Sequence, residues 1–292
     1  MKQRAGLVLV LLAGAIWGTM GVFVRQLNDA GLFAFEVSQA RITIGLAFVG
    51  LYLLVFDRQK LKIRLRDLWC FFGTGICSLM MFSWCYYTGM QLTSLSVMGV
   101  LLYTAPVFVM LMSAVLFREK LTKGKLLALV MTVAGCCLVS GIGTDTQLSV
   151  QGLLLGLGSG FGYALYSIFS RFAINRGYDS WTITFYTFLF CAAGCAFLTD
   201  WPLIAGTLAA DPGVLIWMVL MGMSTGFLSY VLYTKGLQTM ESSRASIVAS
   251  IEPVVATVMG VVIYAEPLGI LNVIGILLVL GGIVVLSIWE KA

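Results

Sequence analysis

Apolar residues fall in ten long runs separated by short polar punctuation. Each run approaches the roughly 20 residues a helix needs to cross a hydrocarbon core. The pattern predicts spans from Ala5 to Gln26, Phe33 to Phe56, Leu68 to Met90, Ser96 to Phe117 and Lys125 to Ile142, then from Val150 to Ser170, Trp181 to Thr199, Val214 to Leu237, Ala245 to Tyr264 and Leu268 to Trp289. The first run follows Lys2 and Arg4, as a secretory signal does, but no polar domain comes after it, so an uncleaved span is expected. The fold class read from this pattern is an all-α membrane protein with ten transmembrane helices.

Composition removes the competing classes. Of 292 residues, 60% are apolar and 11% charged, against roughly 25% charged in soluble domains. Neither a water-soluble enzyme nor a disordered chain has this make-up. The chain has no histidine, which rules out histidine general bases, proton relays and the usual zinc sites. Its seven cysteines form no CxxC pair and read as small apolar fillers. No metal site or bound cofactor is expected.

The net charge of +5 is a topology signal rather than a nucleic-acid footprint. Sixteen of the 18 basic residues lie on one side of the predicted spans: Lys2 and Arg4, the run Arg58 to Arg66, the stretch Arg118 to Lys125, Arg171, Arg176, Lys235, Arg244 and Lys291. The opposite loops carry Arg25 with Asp29, Asp145, Asp200, Asp211 and Glu266. Cytoplasmic loops are the basic ones, so both termini are expected in the cytoplasm of a multi-pass inner-membrane protein.

The two halves repeat. Gln91-Leu92-Thr93, Ala105-Pro106-Val107 and Glu119-Lys120-Leu121 overlay Gln238-Thr239-Met240, Glu252-Pro253-Val254 and Glu266-Pro267-Leu268 at a constant offset of 147. Near the start of each half the offset is 146, pairing Trp17 with Tyr163 and Arg25 with Arg171. Residues 1–146 and 147–292 then form two five-helix units. Five is odd, so the second unit enters from the opposite face. Two inverted repeats with a site between them are a recurring transporter architecture.

The span order, Trp17-Gly18, Arg41 in span two, the mid-span Pro106 and Pro253, and the acids ending spans four and nine are together similar to the EamA branch of the drug/metabolite transporter superfamily. The resemblance covers essentially the whole chain and rests on the ordered set rather than on any single motif. It implies a ten-helix carrier exporting amino acids or other small metabolites. One departure is Thr187, which holds the second-half position of Arg41.

Two charged residues stand out. Glu252 lies near the middle of span nine, where a charge costs about 2.5–3.5 kcal/mol on insertion scales; its first-half counterpart is Ala105. A wet cavity, a cation partner or a bound proton would relieve that cost, and so would a protonated carboxyl bonded to a neighbouring helix. Arg41 lies eight residues into span two, about 12 Å deep, whereas Glu36, one turn in, is expected to reach the interface. Arg41 and Glu252 suit a zwitterion: the guanidinium holds a carboxylate bidentately and the carboxylate holds an ammonium. When empty, the pair could close on itself.

Pro106 and Pro253 free the carbonyls of Leu102 and Ala249, which are tolerated at mid-depth where they line a cavity or find neighbours. Trp17, Tyr86, Tyr103 and Tyr163 are candidate cavity walls, with Trp84, Tyr87, Tyr166, Tyr230 and Tyr233 behind them. Glycines 152, 156, 158, 160 and 162 in span six, with 14, 18 and 21 in span one, let helices approach closely; they match no nucleotide motif. The expectation is a secondary transporter of small zwitterions, with alternating access and Glu252 as the group through which protons could couple. Its partners are a small-molecule substrate and the lipid bilayer, not nucleic acid, and it is a monomer or homodimer. The rivals are efflux of lipophilic cations, which needs a carboxylate and rings but no Arg41, and a membrane-embedded lipid-modifying enzyme, which needs polar clusters absent here.

Overall fold

A computed structural model describes residues 2–140 and 149–289. Ile142 at the expected end of span five, Asp145, Lys291 and the boundary between residues 146 and 147 lie outside the described residues. Among the described residues the chain is helical, with no strand. The helical segments are α1 (Arg4–Asp29), α2 (Ala34–Phe56), α3 (Leu65–Met90), α4 (Ser96–Phe117), α5 (Lys123–Ser140), α6 (Val150–Asn175), α7 (Ser180–Cys195), α8 (Trp201–Ala210), α9 (Val214–Leu237), α10 (Ser242–Tyr264) and α11 (Ile270–Ile288). Nine of these described segments, all but α7 and α8, are long and apolar enough to cross a membrane.

Two differences from the sequence pattern concern the seventh run. α7 ends at Cys195, four residues before Thr199, and its 16 residues span about 24 Å at 1.5 Å each. The apolar stretch that follows becomes α8, started by Asp200, whose side chain accepts from the Leu203 amide at 3.0 Å. Asp200 also meets Glu36, which is buried and whose Oε1 accepts the Asp200 amide at 3.2 Å. Elsewhere the helices mostly begin and end within about three residues of their apolar runs; α6 runs five further.

The halves interlock rather than sit side by side. α1 packs on α9 and α10, while α6, its counterpart, packs on α3 and α4. α2 likewise lies on α9, and α7 on α3. α5 and α11 cross at Gly135 and Gly275, where a Cβ on either glycine would stand 2.7 Å from the other's carbonyl oxygen. Only glycine permits that approach.

Local features recur at or within two residues of the repeat offset. α3 and α9 each contain a widened π-helical stretch, Gly73–Met80 and Gly222–Leu228. α4 and α10 are each broken, at Tyr103–Thr104 and at Ser250–Ile251, and each resumes as a 13-residue half. Those halves end in left-handed residues, Arg118 (φ 56°) and Ala265 (φ 54°). Glu119 and Glu266 then donate their amides to Ser113 and Gly260 at 3.2 Å.

Candidate functional site

The prolines do not kink continuous helices. Each lies in the first turn of a new half-helix, where a missing N–H costs little. Leu102 and Ala249, whose carbonyls they free, both line a small central cavity. Ala249 O lies 2.8 Å from where a Cβ of Gly14 would stand, and Leu102 O is 3.3 Å from the same point on Gly160. The glycines of α1 and α6 therefore admit the broken strands of backbone at the molecule's centre. Gly21, by contrast, has open space around it.

An aromatic cluster fills the middle. The buried Trp17 ring lies 6.2 Å from Tyr163, 5.1 Å from Tyr230 and 5.3 Å from Tyr233. Its Nε1 donates to Thr225 O at 3.1 Å, within the π-helical stretch of α9. Tyr86 stacks near Phe82, which meets Tyr163 at 5.9 Å. Trp84 is half-exposed and stands outside the cluster.

Tyr163 donates to Glu252 Oε2 at 3.3 Å. Beside this bond is a cavity of about 20 Å³ lined by Glu252, Tyr103, Tyr163, Ser167, Ser246 and Ser250 with apolar neighbours. A second, of about 10 Å³, lies under Trp17, Tyr163, Tyr166, Tyr230 and Tyr233. Each holds about one water at most.

Arg41 lines neither cavity. It is 4% exposed on α2. Its Nη1 donates only to Met20 Sδ, at 3.2 Å, and its Nε has no partner. Among the described residues no carboxylate lies within 4.0 Å of it, so it does not close on Glu252 as an ion pair, though Glu252 is within electrostatic reach. Its counterpart Thr187 is satisfied locally, donating to Thr74 Oγ1 at 2.6 Å.

Three features escaped the sequence reading. Gln39, 3% exposed and two residues before Arg41 on α2, has an unpaired Oε1. Cys191 and Cys195, both buried in the apolar core, bring their sulfurs to 3.9 Å. The serines Ser242, Ser243, Ser246 and Ser250 recur at helical spacing on α10, a signal that was there to be read.

The two ends of the molecule differ. Arg25 of α1 forms an ion pair with Glu266 at the end of α10. At the repeat-equivalent place, Arg171 and Glu119 form no direct pair. Arg171 donates to Ser242 Oγ at 3.0 Å and to Met240 O, while Glu119 accepts the Ser242 and Ser243 amides at 2.9 and 3.2 Å. That end opens into a cavity of about 830 Å³, bordered by Arg118, Lys120, Lys125 and Arg244 as well. Lys125 pairs there with Glu241.

A protein from Archaeoglobus fulgidus named "Uncharacterized transporter" is 28% identical over 283 residues, covering 97% of this chain and 96% of that one. "Uncharacterized inner membrane transporter YicL" of Salmonella typhimurium is 26% identical over 98% of this chain and 96% of its own length. "Uncharacterized transporter YetK" of Bacillus subtilis is 25% identical over 99% and 89%. A crystal structure of another protein superposes with a TM-score of 0.80 at 18% identity, covering 99% of this chain and 98% of that one, which establishes a shared fold. The EamA-like transporter family pattern matches twice, over residues 4–141 and 150–288, and the chain is therefore a multi-pass membrane transporter of the EamA-like family.

Proposed function

We propose that this transporter exports small zwitterionic metabolites, amino acids foremost, by alternating access between two inverted five-helix repeats, residues 1–146 and 147–292. α7 would complete the tenth crossing by local thinning of the bilayer and snorkelling of its flanking residues, which short spans impose at modest cost. The basic end, with its 830 Å³ cavity, faces the cytoplasm together with both termini, and the membrane is the cell's inner membrane.

The single observation that carries the substrate class is Arg41. A guanidinium that is 4% exposed with no anion beside it lacks the pairing buried charges require. A substrate carboxylate supplies it bidentately. Glu252, across the Trp17–Tyr163–Tyr230 rings, takes the ammonium. A lipophilic cation would leave Arg41 unpaired, which disfavours multidrug efflux. No polar cluster of the kind lipid-modifying chemistry uses is apparent among the described residues, which disfavours the enzyme reading.

The alternation follows from the two latches. Arg25–Glu266 shuts the outer end while Arg171 and Glu119 are held apart at the inner one; in the opposite state the roles exchange. Proteoliposome counterflow against a panel of amino acids, quaternary ammonium compounds and sugars tests the reading. Amino-acid exchange that disappears in Arg41→Gln and Glu252→Gln is expected. Wild-type rates in both variants, or exchange of quaternary ammonium compounds alone, would refute it.

A further inference from the structure

We infer that the 20 Å³ compartment beside Glu252 is a binding site for a monovalent alkali cation, occupied when the substrate ammonium is absent. The inference rests on the reading of Glu252 as the group that receives that ammonium.

The size comes first. A space that holds about one water admits a bare alkali ion or one ammonium head, and nothing larger. The two ligands therefore exclude one another.

The lining chemistry is that of a cation site. Ser246 Oγ donates to Ser243 O at 2.9 Å and Ser250 Oγ to Ser246 O at 3.3 Å. Tyr163 donates its hydrogen to Glu252. A hydroxyl whose hydrogen is committed elsewhere presents only lone pairs. Three such oxygens around one carboxylate present acceptors, and the hydroxyls of Ser167 and Tyr103 add two more oxygens to the lining, a set that suits a hard cation bound by oxygen. A proton needs the carboxylate alone and leaves the serines without a role.

The fold does not demand these oxygens. At the repeat-equivalent positions, Glu252 is replaced by Ala105, Ser250 by Tyr103 and Ser246 by Gly99, yet the helix breaks in the same way there. Two half-helices, Leu95–Leu102 and Ser242–Ala249, also end at the compartment, and helix C-termini carry partial negative charge. Arg41, within electrostatic reach, opposes the ion's charge and keeps it exchangeable.

The test uses purified full-length protein in detergent at constant pH and ionic strength, with choline chloride replaced stepwise by LiCl, NaCl or KCl. Thermal midpoint and tryptophan fluorescence are read. A saturable response to at least one alkali ion is expected, and comparing the three identifies which. Ser250→Ala should raise the half-saturating concentration about tenfold, the loss of one oxygen ligand to a charge. Glu252→Gln should abolish the response, and Ser224→Ala, an exposed hydroxyl on α9, should leave it unchanged. Identical behaviour in choline and all three salts, a response surviving in Glu252→Gln, or an unshifted Ser250→Ala overturns the site. Counterflow of amino acids in choline alone separates the two proposals. Exchange without any alkali response removes the cation site and spares the transport reading; an alkali response without exchange of any zwitterion does the reverse.

Discussion

Arg41→Met tests whether Arg41 is held for a ligand or for the fold, because the two roles predict opposite signs. A guanidinium at the centre of a membrane helix costs about 2.5–3.5 kcal/mol on insertion scales. Here the compensation is thin: one thioether acceptor at 3.2 Å, an unpaired Nε and no carboxylate within 4.0 Å. Breaking a buried ion pair costs about 3–5 kcal/mol because a charge is orphaned, whereas exchanging buried charge for apolar volume is often stabilising by about 1–4 kcal/mol. Arg41 has no pair to break. Methionine, similar in length, should therefore stabilise the empty carrier by about 1–3 kcal/mol. At roughly 2–4 °C per kcal/mol, the apparent midpoint rises by about 2–12 °C. The same variant should lose zwitterion exchange, since removing one partner of a buried charge pair costs about 2–5 kcal/mol. Scanning fluorimetry in detergent reads the first effect and counterflow the second. A midpoint that falls shows that Arg41 supports the fold, and the substrate assignment goes with it.

Three further outcomes follow from the geometry. Ala265→Gly should raise the thermal midpoint by the equivalent of about 0.5–1 kcal/mol, because Ala265 sits at φ 54°, where a Cβ costs roughly 1–2 kcal/mol and glycine gives back part in chain entropy; a lower midpoint counts against the strain. Gly135→Ala should cost about 1–3 kcal/mol and reduce monodispersity on size exclusion, since its Cβ would stand 2.7 Å from the Gly275 carbonyl; an unchanged midpoint refutes the close crossing. Lys60, in the loop before α3, has its ammonium pKa raised chiefly by the hydrogen bond to Asp179, against desolvation and with help from Asp57. Its stabilising contribution is complete at neutral pH and is lost only as pH climbs past about 10.4 through the raised folded value, so Lys60→Met should remove an alkaline step from the pH–midpoint curve.

Hydropathy alone located nine long spans because lipid demands both length and apolarity from a crossing helix. It could not separate α7 from α8. Residues 181–210 are almost continuously apolar, and only the capping of Asp200 and its bond to Glu36 divide them. Glu252 and Arg41 were legible as anomalies for the reason that makes them costly. Their separation was not, since the distance between α2 and α10 depends on how the halves interlock. The constant offset likewise identified Arg25 with Arg171 and Glu119 with Glu266 as equivalents. That each arginine meets the other half's acidic end, directly for Arg25 and through the α10 start for Arg171, required the fold.

The matched halves and the unmatched residues divide the work between them. Equivalent breaks and left-handed caps recur at an offset of 147, with the π-helical stretches displaced by one or two residues from it, so under the proposed alternation either end has the same means of closing. Exchange between two states needs near-equality of the two, because a carrier trapped a few kcal/mol on one side turns over slowly. Polar residues repeated in both halves would place two competing sites along the path. Thr187 opposite Arg41 and Ala105 opposite Glu252 avoid this: Thr187 is already bonded to Thr74, and Ala105 has no charge to satisfy. One unpaired guanidinium and one carboxylate remain at the centre. A ligand that satisfies both lowers the energy of the closed centre in either state, and it does so without deciding which end opens next.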